Sequence, residues 1–325
     1  MNKNYLLFFY LLISINIFAQ FDTNYVYLTK DKFAVYPLGE SAMSSFFFDN
    51  TNADGTVTSV NYHTRRFNSI GFGASFYRIG LSFSFEIPYT DIPELKKHSA
   101  FNFKGGYSYR KFYAELRMQS FSGVEEVIFD PNLNTSISKI RTDIKINQYG
   151  GNIYYFTARK FNYDANFKNY NIQKKSAFSP FVNVGINYYN IKGDFLLTDT
   201  VETNSESYVT RLGTISFRVS PSIAGTVVYK GFYFANMVGL GVGFTKNLLG
   251  FNKQERDYYG FMPVFEMNST IGYANSNFFV SIVYSIESVR VKYDNSYLGT
   301  VNSLWSIKLG KKFDIKYLGK IGKYL

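Results

Sequence analysis

Apolar and polar residues alternate in twos along most of the chain. Between residues 232 and 244 the even positions are Phe232, Phe234, Asn236, Val238, Leu240, Val242 and Phe244, and the odd ones are Tyr233, Ala235, Met237, Gly239, Gly241 and Gly243. One face is greasy and the other is small, which is the period of a β-strand and not of a helix. The preceding run repeats it: Ile215, Phe217, Val219, Ile223 and Val227 alternate with Ser216, Arg218, Ser220, Ser222, Ala224 and Thr226. Lys230-Gly231 between the two runs is a tight-hairpin signal. Read in this way, the chain predicts strands over 32–49, 55–77, 79–88, 98–110, 111–124, 142–158, 176–192, 208–229, 231–246, 257–274, 277–293 and 299–313. That is about twelve, an even number, as bacterial single-chain membrane barrels have.

A soluble sandwich shares the period, so other features must separate the two folds. The strands reach ten residues or more, beyond the usual five or six. Tight turns near Arg78, Arg110-Lys111, Lys230-Gly231 and Asn275-Ser276 alternate with longer polar loops near 50–54, 89–97, 125–141, 193–207 and 247–256. Short periplasmic turns and long outer loops are the habit of outer-membrane barrels. Aromatics follow the short turns (Phe112-Tyr113, Phe232-Tyr233, Phe278-Phe279), where they form a ring at one membrane boundary. The polar faces carry charges of both signs, which a dry sandwich core excludes. The expected fold is therefore all-β, a transmembrane antiparallel β-barrel over 20–313. The segment 159–175 is the uncertain part of the topology. Arg159-Lys160-Phe161 copies the turn signature Arg110-Lys111-Phe112. The segment is either a long periplasmic connection, which can fold into the lumen as a plug, or extra pairing that makes fourteen strands.

The two ends read differently. Residues 1–19 combine Lys3, an apolar run from Tyr5 to Phe18 and the small Ala19, the pattern of an export signal peptide. Residues 314–325 form a basic tail with Lys316, Lys320 and Lys323, in which Ile315, Leu318, Ile321 and Leu325 recur at near-helical spacing. Such a segment suits an anionic leaflet or a solvated terminus. Phe313 ends the last strand on an aromatic, which suits recognition by the barrel-assembly machinery.

Composition narrows the chemistry. There is no cysteine and there are two histidines, His63 and His98, which removes disulfides, thiolate sites and a His-built metal centre. Phe and Tyr, 34 and 29 residues, bring the aromatic share to 20%. The formal net charge is +11, but its basic residues are scattered through strands and turns of an exported chain, so nucleic acid is not an expected partner. Outer-membrane lipids are. No cofactor is expected.

The run from Arg159 to Ile186 (RKFNYDANFKNYNIQKKSAFSPFVNVGI) and the hairpin from Ile70 to Pro88 (IGFGASFYRIGLSFSFEIP) resemble an exported barrel-type family of unknown function, domain-of-unknown-function family 4421. Gln173-Lys174-Lys175-Ser176-Ala177 is the most specific stretch, and the resemblance runs over nearly the whole mature chain. It implies an outer-membrane location. It brings no activity and no catalytic residues.

If the greasy faces meet lipid, Glu86, Lys104, Arg110, Glu115, Arg117, Arg218, Glu266, Glu287 and Lys308 point inward. These groups either line a hydrated pathway that selects by charge or pair with one another and fill a narrow lumen. The first expectation is a small passive pore or transport-type barrel. The second is a plugged barrel acting as a structural or surface-interaction protein. The third is a barrel hydrolase for lipid or peptide. It is the weakest, because no compact motif joins His63, or His98 with Asp91 and Glu94, to a nucleophile.

Overall fold

The computed structural model describes residues 21–29, 31–51, 57–64, 67–87, 99–130, 135–194, 196, 209–251, 255–293 and 296–314. The signal segment 1–19, the tail after Asp314, His98, and the acids Asp91, Glu94, Asp199, Glu202 and Glu206 lie outside them.

Among the described residues twelve antiparallel strands close into a ring. They are β1 (Lys32–Thr51), β2 in two pieces (Val57–His63 and Phe67–Phe76), β3 (Ile79–Glu86), β4 (Ala100–Tyr109), β5 (Phe112–Asp130), β6 (Thr135–Phe156), β7 (Ala177–Lys192), β8 (Val209–Tyr229), β9 (Phe232–Phe251), β10 (Glu255–Ala274), β11 (Phe278–Tyr293) and β12 (Ser296–Asp314). Consecutive strands pair around the ring. A seam between β1 and β12 closes it, running from Asn50↔Ser296 to Lys32↔Asp314. A Lys32–Asp314 ion pair of 2.9 Å clips the seam's lower end. Among the described residues the ring has no open edge, which is what a bilayer demands of a strand-built span.

The greasy positions face outward. Phe232, Phe234, Leu240, Val242 and Phe244 of β9 are all exposed, whereas Tyr233, Ala235 and Met237 are buried. On β8 the exposed run extends from Ile215 to Val227. That is roughly 40 Å along a strand at about 3.3 Å per residue. A tilt of about 40° reduces it to roughly 30 Å, the thickness of a hydrocarbon core. Exposed apolar surface on this scale is a lipid-facing belt. At the short-turn end cations lie over aromatic rings: Arg78 is 4.7 Å from both Tyr77 and Tyr109, and Lys230 is 5.3 Å from Tyr229.

The short turns follow from residues that tolerate left-handed backbone. Lys230 and Gly231 have φ of 48° and 86°, the doubly positive pair that matches the twist of a two-residue hairpin. Gly231→Ala is expected to cost about 1 kcal/mol, since a Cβ disfavours this region. Equilibrium unfolding in detergent would show it, with Gly225→Ala, which has open space around its Cβ position, as the neutral control.

Two expected loops are strand instead. β5 and β6 continue through most of 125–141, and β9 and β10 continue through most of 247–256. Above the lipid an outward face needs no grease, so the apolar half of the alternation disappears while the pairing continues. The extension carries polar pairs such as Lys246–Asp257 at 2.8 Å. Hydrogen bonds from Arg141 hold the Asp143 carboxyl below the usual carboxylate range, at about 2.

The upper barrel is also narrower. The first piece of β2 pairs with β1 on one side and directly with the upper part of β5 on the other. The second piece pairs with β1 and β3. The β3–β4 hairpin is thus a wedge that fills the lower wall only. Above it the ring has two strands fewer. Barrel diameter grows about linearly with strand number, so the cross-section falls by roughly a third. The fork is marked by the break in β2 at Thr64 and by Gly123 (φ 79°), where β5 shifts register against β6.

Candidate functional site

The lumen holds three layers. The lowest is a plug. Residues 159–173, between β6 and β7, fold upward into the barrel around a single π-turn, Asp164–Lys168, that ends on Asn169 in the left-handed region (φ 60°). Of the two arrangements open for 159–175, pairing into the ring is not found. Only Ile172–Gln173 forms a ladder, and its partner is Val26–Tyr27. The plug contains little strand signal because its asparagines stitch it internally. Asn162 Oδ1 accepts from Ala165 N at 2.8 Å, and Asn166 Nδ2 donates to Asn162 O at 2.8 Å. It is tied to the wall on several sides. Ser108 Oγ donates to Asp164 Oδ1 at 2.6 Å, Asn169 Nδ2 to Ser281 Oγ at 2.8 Å, and Lys308 Nζ to Phe167 O at 3.2 Å. Tyr163 stacks on Tyr113 at 3.9 Å, and Phe161 packs against Phe156. Gly106 in the wall makes room for it: a Cβ there would run into Lys168 Nζ and the Tyr113 ring.

The middle layer is charged. Arg218, 1% exposed, lies 2.7 Å from Glu287 and 3.8 Å from Glu266 and donates to Asn152 Oδ1 at 2.9 Å. Arg117 meets Glu115 at 3.0 Å and Lys104 meets Glu40 at 3.9 Å. Asn183 and Asn102 donate to Glu266 and Glu40 at 2.7 and 2.8 Å. Two small adjoining chambers of about 30 and 70 Å³ remain here, sharing Arg117, Tyr154, Asn268, Ser285 and Leu304 as wall. Of the residues expected inside, Lys104, Glu115, Arg117, Arg218, Glu266 and Lys308 line these chambers. Glu287 joins them, and Glu86 is half-buried two positions along from buried Ser84 on the inner face of β3. Arg110 lies between the wall strands and not on one. It occupies the β4–β5 turn with φ 54°, its guanidinium 4.9 Å from the Tyr109 ring. Sequence reasoning missed Glu40, whose partners Lys104, Asn102 and Ser84 stand on the wedge strands β3 and β4. The inward parity of Leu38 and Ala42 on β1 was its available signal.

The upper layer is apolar. Phe46, Tyr62, Phe121, Ile144, Ile191 and Leu212 point inward from the extended strands and are fully or almost fully buried. Leu196 folds in from beyond β7, and its carbonyl accepts from the Tyr62 hydroxyl. The narrowed neck lets these side chains meet across the barrel.

Around the two chambers and the π-turn, Glu40, Glu115, Asp164, Glu266 and Glu287 stand among Lys104, Arg117, Lys168, Arg218 and Lys308, five acids against five bases. Such a set neutralises itself more readily than it selects one sign of permeant. Among the described residues no group of three or more His, Asp or Glu is placed to hold a metal ion.

A closed antiparallel ring with a lipid-facing belt, polar wall charges and a folded-in plug defines an outer-membrane-type β-barrel. The family model for a domain of unknown function, DUF4421, matches residues 20–313, and the chain belongs to that family. No curated protein matches it in sequence. Among solved structures it is similar to the outer membrane protease OmpT from Escherichia coli, with 10% identity, a TM-score of 0.37 and coverage of 90% of this chain and 99% of that one. It is also similar to the toluene transporter TodX of P. putida (6%, 0.27, 86% and 90%) and to Ail, the attachment invasion locus protein of Yersinia pestis (11%, 0.19, 85% and 99%). These likenesses bring no activity to this chain.

Proposed function

We propose that the protein is a sealed outer-membrane barrel, exported by residues 1–19, that holds its strand extensions above the membrane as a structural or surface-interaction platform. The observation that carries this reading is the double closure of the lumen, by the 159–173 plug below and by the Phe46–Tyr62–Leu212 layer above. A charge-balanced middle layer supports it. The alternative, a passive pore, requires the plug to leave, which breaks its bonds to Ser108, Ser281 and Lys308 and exposes Phe161 and Phe167. Single-channel recording of the folded protein in a planar bilayer tests the choice. Silence is expected from the intact chain. A variant with 159–173 replaced by a two-residue turn is also expected to stay closed at the upper layer. Steady discrete openings from the intact chain overturn the sealed reading, and openings only after deletion make the plug a gate.

A further inference from the structure

The outward-parity positions of the fork bring together three groups from separate strands, of which Ser45 is only 8% exposed. Ser45 on β1 and His63 at the end of the first piece of β2 are register partners. Ser45 Oγ is 2.8 Å from His63 Nδ1. On the other side of His63, Glu125 of β5 is its register partner. Side chains so opposed have Cβ atoms about 4.5–5.5 Å apart. A hydroxyl bonded to an imidazole, and a carboxylate that also accepts from Ser138 Oγ at 2.5 Å, thus occupy facing register positions on three adjacent strands, the order nucleophile, base and orienting acid of hydroxyl-based acyl transfer.

Local irregularities fix the row. Thr64 pins the break in β2 to β1: its N–H donates to Ser44 O at 2.8 Å, and its hydroxyl accepts from Ser44 N at 2.7 Å. Gly123, two residues before Glu125, carries the register shift of β5. Bulges and strand breaks of this kind re-aim side chains at functional sites. The height of the row also matters. Trp305, on the outward face of β12, is paired with Ser41, four residues below Ser45, or roughly 13 Å along the strand. The Asp49–Arg290 ion pair, 2.9 Å, lies above. Ser45 is therefore at the boundary between the apolar belt and the polar rim.

We propose that Ser45, His63 and Glu125 form an esterase-type site for acyl esters presented at the lipid–water boundary. Ser45 Oγ attacks the ester carbonyl while its proton passes to His63 Nδ1. The tetrahedral adduct collapses, the C–O bond to the alcohol breaks, and the alcohol leaves with the proton from His63. His63 takes a proton from water as its oxygen adds to the acyl carbonyl; the bond from Ser45 Oγ to the acyl carbon then breaks, His63 returns the proton to Ser45 Oγ, and the carboxylic acid leaves. Glu125 is a positioning residue that supports the imidazolium. The acyl chain has the apolar face of β12, with Trp305, Ile307 and Leu309, to lie against.

The test uses full-length folded barrel, checked by its shifted migration on unheated gels, with p-nitrophenyl acyl esters in detergent micelles and a fluorophosphonate probe. The intact protein is expected to turn over the esters and to carry the phosphonate on Ser45 by peptide mass spectrometry. Ser45→Ala and His63→Ala are each expected to lower the rate by about 10²-fold or more, with folding unchanged. Glu125→Gln is expected to move the acidic limb of the pH–rate profile to lower pH, because a neutral neighbour no longer favours the imidazolium; a merely structural role leaves that limb in place. Absence of turnover and of label in folded protein, or turnover that survives Ser45→Ala, overturns the proposal. The conductance result bears on neither outcome.

Discussion

Arg218→Ala is expected to destabilise the barrel by about 3–5 kcal/mol, the usual cost of deleting one partner of a buried ion cluster. Arg218 is buried between Glu287 and Glu266 and donates to Asn152. Removing the guanidinium leaves two carboxylates facing each other across β10 and β11, where Glu266 and Glu287 are direct register partners. The loss comes less from the missing attraction than from two acids left without a cation. The triple change Arg218→Met, Glu266→Gln, Glu287→Gln removes that burden and is expected to recover most of the stability. Guanidinium unfolding of the protein in lipid vesicles, followed by tryptophan fluorescence at Trp305, measures all three species. A loss below about 1 kcal/mol for Arg218→Ala means that the lumen holds enough water to solvate both acids, and the sealed middle layer is then wrong.

Leu240→Arg is expected to cost about 2–4 kcal/mol, and Leu248→Arg about 0–1 kcal/mol. The two leucines share β9 and its outward face, eight residues apart. Leu240 is 67% exposed in the middle of the lipid belt. Leu248 lies beyond Lys246, in the extension whose outward positions carry ion pairs. In a water-soluble protein an exposed leucine is replaced at little cost, so the size of the first effect and its decay along one strand together measure the bilayer. Equal, small costs at both positions place the belt in water and refute the membrane span.

All twelve strands and their short turns were legible because the chain must satisfy lipid outside and packing inside in alternate residues. That constraint is written into runs such as 215–227 and 232–244. It lapses above the bilayer, which is why β5–β6 and β9–β10 looked like loops. The charged wall was legible by parity alone, and Glu40 was passed over because it is a single acid in an otherwise neutral run. The fork was not legible. It depends on β2 meeting β5 across a gap of sixty residues in sequence, a choice that no local pattern records. The plug was visible only as an alternative, since buried asparagines and tyrosines at 162–171 read equally well as a polar connection. The Ser45–His63–Glu125 row has no linear spacing and exists only once the register is known.

The seam between β1 and β12 has a consequence for the order of assembly. Its paired residues, Lys32 with Asp314 through Asn50 with Ser296, are almost the whole chain apart, so they carry the largest loop-closure entropy in the molecule. Every other pairing in the ring, including the β2–β5 pairing at the fork, joins segments that are present before the last strand arrives, and the seam cannot begin until that strand has been delivered. A chain shortened within β12 therefore does not lose one-twelfth of the wall. It remains an open sheet with two bare edges.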